Sequence, residues 1–266
     1  MIKVCVIGAA GRMGRRLVAL IMESNDLQLS GAVEIAGNPL LGSDAGAVAG
    51  VGNANVAITD DLAAALANSD AVINFSTAGV AEATRMAAAA NCSCVIGTTA
   101  LPDADKAELA EIAKTAKIVF APNMSVGVNL LFHLSGIVAK LLADYDCEIV
   151  EMHHNQKKDA PSGTAERLGE VVAAAREQAY KEVVRHGREG IVGARTASEI
   201  GMHSMRGGDV VGDHTVVFAT GGERVELTHK ASSRDTFAKG ALRAVRFLAD
   251  APAGRIYDMQ DVLGLR

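Results

Sequence analysis

Tryptophan is absent, and with 3 Tyr and 6 Phe only 3% of residues are aromatic. The chain also has no excess of positive charge: 26 Lys+Arg stand against 31 Asp+Glu, a net charge of −5 and a pI near 5.8. A nucleic-acid platform needs a basic field or stacking aromatics, so that class is excluded. Cysteine is scarce. Cys5, Cys92, Cys94 and Cys147 form no C-x-x-C pair and have no histidine at zinc spacing, so reduced, buried thiols in a cytoplasmic protein without a metal site are expected. Long apolar runs are missing too. Residues 4–7 are too short for the apolar region of an export signal. The uncharged stretch 118–139 is interrupted by Pro122, Asn123, Ser125, Gly127 and Asn129, which predicts a strand, a polar loop and a helix and no membrane span.

What the chain does have is 49% hydrophobic residues and 27 glycines, a composition suited to helices packed tightly on a buried sheet. Short β-rich runs at 2–7, 27–33, 71–75, 94–96 and 118–121 alternate with helical stretches at 13–22, 62–66, 80–90 and 104–113. That rhythm predicts a parallel sheet wound with helices on both faces. Beyond Pro122 the pattern changes to a long apolar helix at 128–142, a strand at 148–154, a helix at 163–180, a hairpin of 214–220 with 224–230 about Gly221-Gly222, and a helix at 234–248. The expected fold class is α/β: an N-terminal Rossmann-like dinucleotide-binding domain plus a smaller mixed α+β domain.

The first strand runs into Gly8-Ala9-Ala10-Gly11-Arg12-Met13-Gly14. Glycines at this spacing let the backbone turn sharply and approach a pyrophosphate, whose charge meets the N–H groups of a helix N-terminus. Glu34 ends the second strand, where an acid accepts hydrogen bonds from ribose hydroxyls. A carboxylate there repels a 2′-phosphate, and Ile35 and Ala36 offer no compensating cation, so NADH is expected to be favoured over NADPH. Arg12 is a candidate phosphate ligand within the turn.

The densest polar segment is E-M-H-H-N-Q-K-K-D-A-P-S-G-T at 151–164. Two histidines and two lysines precede a helix start whose N–H groups suit a carboxylate. An acidic substrate and a general acid, Lys157 with His153 or His154, fit this pattern, and a solvated basic loop before a capped helix fits it as well. Adjacent histidines on a strand point to opposite faces, which argues against metal ligation. Ser162 lacks the G-x-S-x-G elbow of a nucleophile. His133 and His186 are expected to be structural; His203, His214 and His229 carry no assignment.

Together with L-L-G-S-D-A-G at 40–46, V-I-G-T-T at 95–99, N-M-S-V-G-V-N at 123–129, G-D-H-T-V at 212–216 and T-H-K-A-S-S-R at 228–234, these motifs give a sequence that resembles the 4-hydroxy-tetrahydrodipicolinate reductase (dihydrodipicolinate reductase) family over essentially its whole length. The resemblance implies a cytoplasmic homotetramer of lysine and diaminopimelate biosynthesis that reduces a cyclic dicarboxylate with NADH or NADPH. It implies a discontinuous dinucleotide-binding domain, 1–126 and 235–266, around a substrate-binding and tetramerisation domain, 127–234. In that family's terms Gly8, Gly11, Arg12, Met13 and Gly14 would hold pyrophosphate and Glu34 the adenine ribose. Gly97, Thr99, Ala121, Asn123 and Met124 would hold the nicotinamide. His153 and Lys157 would be catalytic, and His154, Gly163 and Thr164 would bind substrate carboxylate. Three departures stand out. Ile35 sits where some members carry arginine, Asn74-Phe75-Ser76-Thr77 replaces an Asp-Phe-Thr start, and Asn155-Gln156 replaces a more basic pair. A nucleotide-sensing binding protein and a dehydrogenase of an acyclic amino acid or semialdehyde are the competing expectations; neither accounts for the intact 151–165 segment.

Overall fold

A computed structural model describes residues 1–99 and 101–266. The elements in chain order are β1 (Ile2–Ile7), α1 (Arg12–Met22), β2 (Leu27–Val33), α2 (Ala45–Ala49), β3 (Ile58–Thr59), α3 (Leu62–Leu66), β4 (Ala71–Asn74), α4 (Val80–Ala89), β5 (Ser93–Ile96), α5 (Asp103–Ile112) and β6 (Ile118–Phe120). They continue as α6 (Val126–Leu141), β7 (Asp146–His153), α7 (Gly163–Ala175), α8 (Tyr180–Val183), β8 (Val184–His186), β9 (Ile200–Arg206), β10 (Gly212–Thr220) and β11 (Glu223–Ala231). The chain closes with α9 (Asp235–Asp250), β12 (Ile256–Tyr257) and α10 (Met259–Val262). Contacts divide it into two units, Met1–Val126 with Asp235–Arg266, and Gly127–Arg234.

The first unit is a seven-stranded parallel sheet in the order β12-β6-β5-β4-β1-β2-β3. Side chains alternate across it as the pleat requires. Val4 and Val6 join Leu17, Ile21, Val245 and Leu248 in the core under α1 and α9, while Cys5 joins Val72, Cys94, Ile96 and Leu109 in the core under α4 and α5. Strand order reverses between β1 and β4, which opens a crevice at the carboxyl ends of those strands, the usual ligand position in such sheets. After the excursion through the second unit the chain returns as α9. Arg16 meets the first-turn Asp235 with two 2.7 Å hydrogen bonds, and Arg246 binds Asp26.

The second unit is a five-stranded mixed sheet, β11-β10-β7-β9-β8, antiparallel between β11, β10 and β7 and parallel between β7, β9 and β8. α6 and α7 cover one face, closing a core of Leu131, Cys147, Ile149, Leu168, Val172, Met202, Val216 and Phe218. The hairpin is in the expected place. The helix expected over 163–180 ends at Ala175, where the left-handed Glu177 (φ 57°) redirects the chain into α8. Strand β9 goes beyond the sequence expectation, and it brings Arg206 beside His153.

α9 approaches the β6–α6 loop so closely that a Cβ on Gly240 would overlap the Met124 carbonyl. Helix propensity alone would make Gly240→Ala stabilising by about 1 kcal/mol. Overpacking against fixed backbone outweighs this, and the variant is expected to lose about 2 kcal/mol of unfolding free energy in urea. Unchanged or higher stability would contradict the close approach.

Candidate functional site

In the first unit the residues proposed for the cofactor follow the carboxyl ends of parallel strands, most of them in loops and Arg12, Met13 and Gly14 in the first turn of α1. Gly8, at φ +77°, donates its N–H to the Val33 carbonyl at 2.8 Å and turns the chain into α1. A Cβ on Gly14 would overlap the Gly8 carbonyl and the Ala9 backbone, so the turn can lie flat on the helix start only with glycine there. α1 begins at Arg12 with no side-chain cap on its first N–H groups, as an anion-binding helix start requires. Met13 packs partly against the core. Glu34 Oε1 accepts from the Ala10 N–H at 2.9 Å, and Oε2 accepts from Asn38 Nδ2 at 3.2 Å. The acid therefore sits against the glycine turn. Ile35 beside it is 76% exposed.

Beyond β5 the Phe75 ring lies across Gly97, where a side chain would collide with it, and the Thr98 hydroxyl donates to the Ser76 carbonyl at 2.8 Å. Thr99 is exposed. Ala121 is buried after β6 and donates to Ile96, and Asn123 accepts from the Ser125 N–H. The Met124 side chain is buried in the core. The flat glycine turn, the uncapped helix start and the acid at the end of β2 fit a dinucleotide.

In the second unit β7 buries Cys147, Ile149 and Glu151 on one face. Glu151 is completely buried and its carboxylate is filled from several sides. Oε2 is 2.6 Å from His153 Nδ1 and 2.9 Å from Arg206 Nη1; Oε1 is 2.9 Å from Arg206 Nη2 and 3.1 Å from the Ser162 N–H. Burial pushes the Glu151 carboxyl up, but hydrogen bonds from Arg206, His153 and Ser204 outweigh it and leave the group below its ordinary range, hence ionised. An ionised carboxylate only accepts, so His153 Nδ1 carries the proton and Nε2 the lone pair. Burial, opposed by Glu151, holds the His153 pKa below the ordinary value.

Lys157 binds Asp159 at 2.8 and 2.9 Å and is only 20% exposed in its side chain. Ser162 caps α7, accepting from the Ala165 N–H and lying 3.1 Å from His214 Nε2. Gly163, exposed and with open space where a side chain would be, begins the helix with Thr164. Its N-terminal dipole and N–H groups suit a carboxylate. The His154 N–H donates to Val210. Ser162 and His214 form no nucleophilic pair: both are buried, the Ser162 oxygen is engaged with Ala165, and His214 Nδ1 has no orienting partner among the described residues. Among the described residues no cluster of His, Cys, Asp or Glu could hold a metal ion, and no helix is long and apolar enough to cross a membrane.

Glu151, Arg206, Ser162 and His214 are thus parts of the site for which sequence reasoning gave no role. His214 stands edge-on to His153 at 5.2 Å.

The first unit has the build of a dinucleotide-binding oxidoreductase domain, and the second supplies a cationic, acid–base-competent site. Family models described as "Dihydrodipicolinate reductase, N-terminus" and "Dihydrodipicolinate reductase, C-terminus" match residues 2–124 and 127–263. The chain belongs to the dihydrodipicolinate reductase family and is an oxidoreductase with a nicotinamide cofactor. Proteins named 4-hydroxy-tetrahydrodipicolinate reductase from Anaeromyxobacter dehalogenans and Citrifermentans bemidjiense are 52% and 49% identical to it, covering 100% of this chain and 99% and 100% of their own. The solved dipicolinate-bound dihydrodipicolinate reductase of Paenisporosarcina sp. TG-14 shares the fold at a TM-score of 0.76, with 24% identity and 98% of each chain covered. An amine dehydrogenase from Mycobacterium smegmatis shares it at 0.59, with 14% identity over 96% of this chain and 94% of that one.

His214 has a sharp pH signature. Burial lowers its pKa from 6.5 to about 3, so below pH 6.5 the unfolded chain binds a proton that the folded chain does not. Its contribution to stability is complete above pH 6.5 and is lost as pH falls towards 3. Between pH 6 and 4 that amounts to about 1.4 kcal/mol per pH unit. His214→Gln is expected to reduce the slope of unfolding free energy against pH by this amount; an unchanged slope would contradict the buried neutral imidazole.

Proposed function

We propose that this protein reduces 4-hydroxy-tetrahydrodipicolinate, or its dehydrated form, to tetrahydrodipicolinate in lysine and diaminopimelate biosynthesis, using NADH or NADPH with NADH favoured. The observation that carries this reading is the pairing of full-length relatives bearing that reductase name with a His/Lys cluster at the N-terminus of α7, where a dicarboxylate finds both positive charge and N–H donors. Residues 1–126 and 235–266 bind the dinucleotide, and 127–234 bind substrate and form a homotetramer. The sheet face left uncovered by helices, with half-exposed Val150, Met152, Thr215 and Val217, is the surface for assembly.

Gly8, Gly11, Arg12, Met13 and Gly14 hold the pyrophosphate and Glu34 the adenine ribose; Gly97, Thr99, Ala121, Asn123 and Met124 hold the nicotinamide end. The bound cofactor supplies a hydride. This chain's residues do the remaining work. His154, Gly163 and Thr164 fix substrate carboxylate, which orients the ring. Lys157 delivers a proton to the reduced ring, and Asp159 holds its ammonium in place between turnovers. His153 exchanges a proton through Nε2, because Nδ1 is committed to Glu151. Glu34 without a neighbouring cation disfavours a 2′-phosphate.

Initial rates of NADH and NADPH oxidation with freshly generated 4-hydroxy-tetrahydrodipicolinate test the reading. Substrate-dependent oxidation with a higher kcat/KM for NADH is expected, and Lys157→Ala is expected to lower kcat by about 100-fold or more with nucleotide affinity retained. No oxidation of either cofactor, despite tight nucleotide binding, would overturn the assignment in favour of a nucleotide sensor; an unchanged rate in Lys157→Ala would remove that lysine's role.

A further inference from the structure

On β7 the inward row of Cys147 and Ile149 calls for a third apolar residue, and Glu151 stands there instead, completely buried. Taking a carboxylate out of water costs several kcal/mol unless its lone pairs are filled. Here they are filled by groups with different tasks. One oxygen takes His153 Nδ1 and the other takes the N–H of Ser162, the cap of α7, while Arg206 spans both. Arg206 also donates to the Asp159 carbonyl at 2.7 Å, so the same guanidinium grips the segment that carries the partner of Lys157.

We propose that Glu151, clamped by Arg206, is a positioning residue of this site: its carboxylate fixes His153 in the Nδ1–H tautomer, leaves Nε2 as the proton-exchanging nitrogen, and with its other oxygen sets the N-terminal turn of α7. The inference rests on the proton-handling role given above to His153. Gly212 makes room for the ring in this orientation, because His153 Nε2 lies 3.0 Å from where a Cβ at that position would stand. The reactive nitrogen thus faces bare backbone. Glutamine cannot replace Glu151. Its amide nitrogen would confront Arg206 in either orientation, and would either face the Ser162 N–H or turn His153 Nδ1 into an acceptor.

The charged and titratable groups around His153 are Glu151, Lys157, Arg206 and His214. Of these only Glu151 favours the imidazolium, so its removal lowers the His153 pKa.

The test begins with the wild type. Long-range ¹H–¹⁵N NMR on histidine-labelled protein, with His153 assigned by its loss in His153→Asn, is expected to show the Nδ1–H tautomer at neutral pH; an Nε2–H tautomer overturns the proposal without any rate measurement. In Glu151→Gln the tautomer is expected to become mixed, kcat to fall about tenfold or more, and the His153 limb of the pH–rate profile to move to lower pH, with nucleotide affinity unchanged. In the His153→Asn background the same substitution is expected to cost several-fold less in kcat, the remaining loss, from the turn of α7, being read in KM. An equal fall in both backgrounds would assign Glu151 a purely structural role and overturn the proposal. A wild type that reduces no substrate would instead overturn the proposed function, and the tautomer would still decide this inference.

Discussion

A buried carboxylate must find a donor for each of its lone pairs, and in this molecule that requirement organises the second unit. Glu151 can stay ionised inside the sheet only if β9 runs parallel beside β7 to deliver Arg206, and only if the chain after Asp159 folds back to present the Ser162 N–H. Once those conditions are met, His153 has one tautomer, α7 has its cap, and Lys157 is held close by through Asp159. His153 and the start of α7 are thereby joined through one side chain. The carboxylate braces the two ends of the segment 154–162 that joins them in sequence.

The first unit depends on a different constraint, the close approach of backbone to backbone. Parallel strands deliver their loops to one edge, and the reversal of strand order between β4 and β1 leaves a crevice there. A flat turn is possible only because Gly14 has no side chain to meet the Gly8 carbonyl. The first N–H groups of α1 then face outward with the helix dipole behind them. Glu34, bonded to the Ala10 N–H, ties the end of β2 to this turn.

Most of this architecture was legible in the residues. Alternating apolar runs and the glycine turn locate the parallel sheet, since a strand buried on both faces needs a continuous apolar run and β1, β4 and β5 have one. The His153, Lys157 and Gly163 cluster was legible as a segment because its members are close in sequence. Its support was not. Ile200–Arg206 mixes Gly201, His203, Ser204 and Arg206 with three apolar residues, so its period is broken, and Arg206 could not be placed against a carboxylate 55 positions earlier. Glu151 looked like one more polar residue in a charged stretch, because only the pleat shows that it faces the core. His214 and Ser162 meet across 52 positions for the same reason. Local pattern reports which residues are neighbours along the chain; the sheet register decides which face each one takes.

The claim on which the rest depends is that Glu151 is ionised while completely buried. Infrared difference spectroscopy of wild type against Glu151→Gln, recorded in deuterated buffer at pH 5, reads this state directly. The substitution is expected to remove a carboxylate stretching band and no protonated-carboxyl band. Loss of a protonated-carboxyl band would contradict it, because a neutral Glu151 would neither hold Arg206 as an ion pair nor dictate the tautomer of His153.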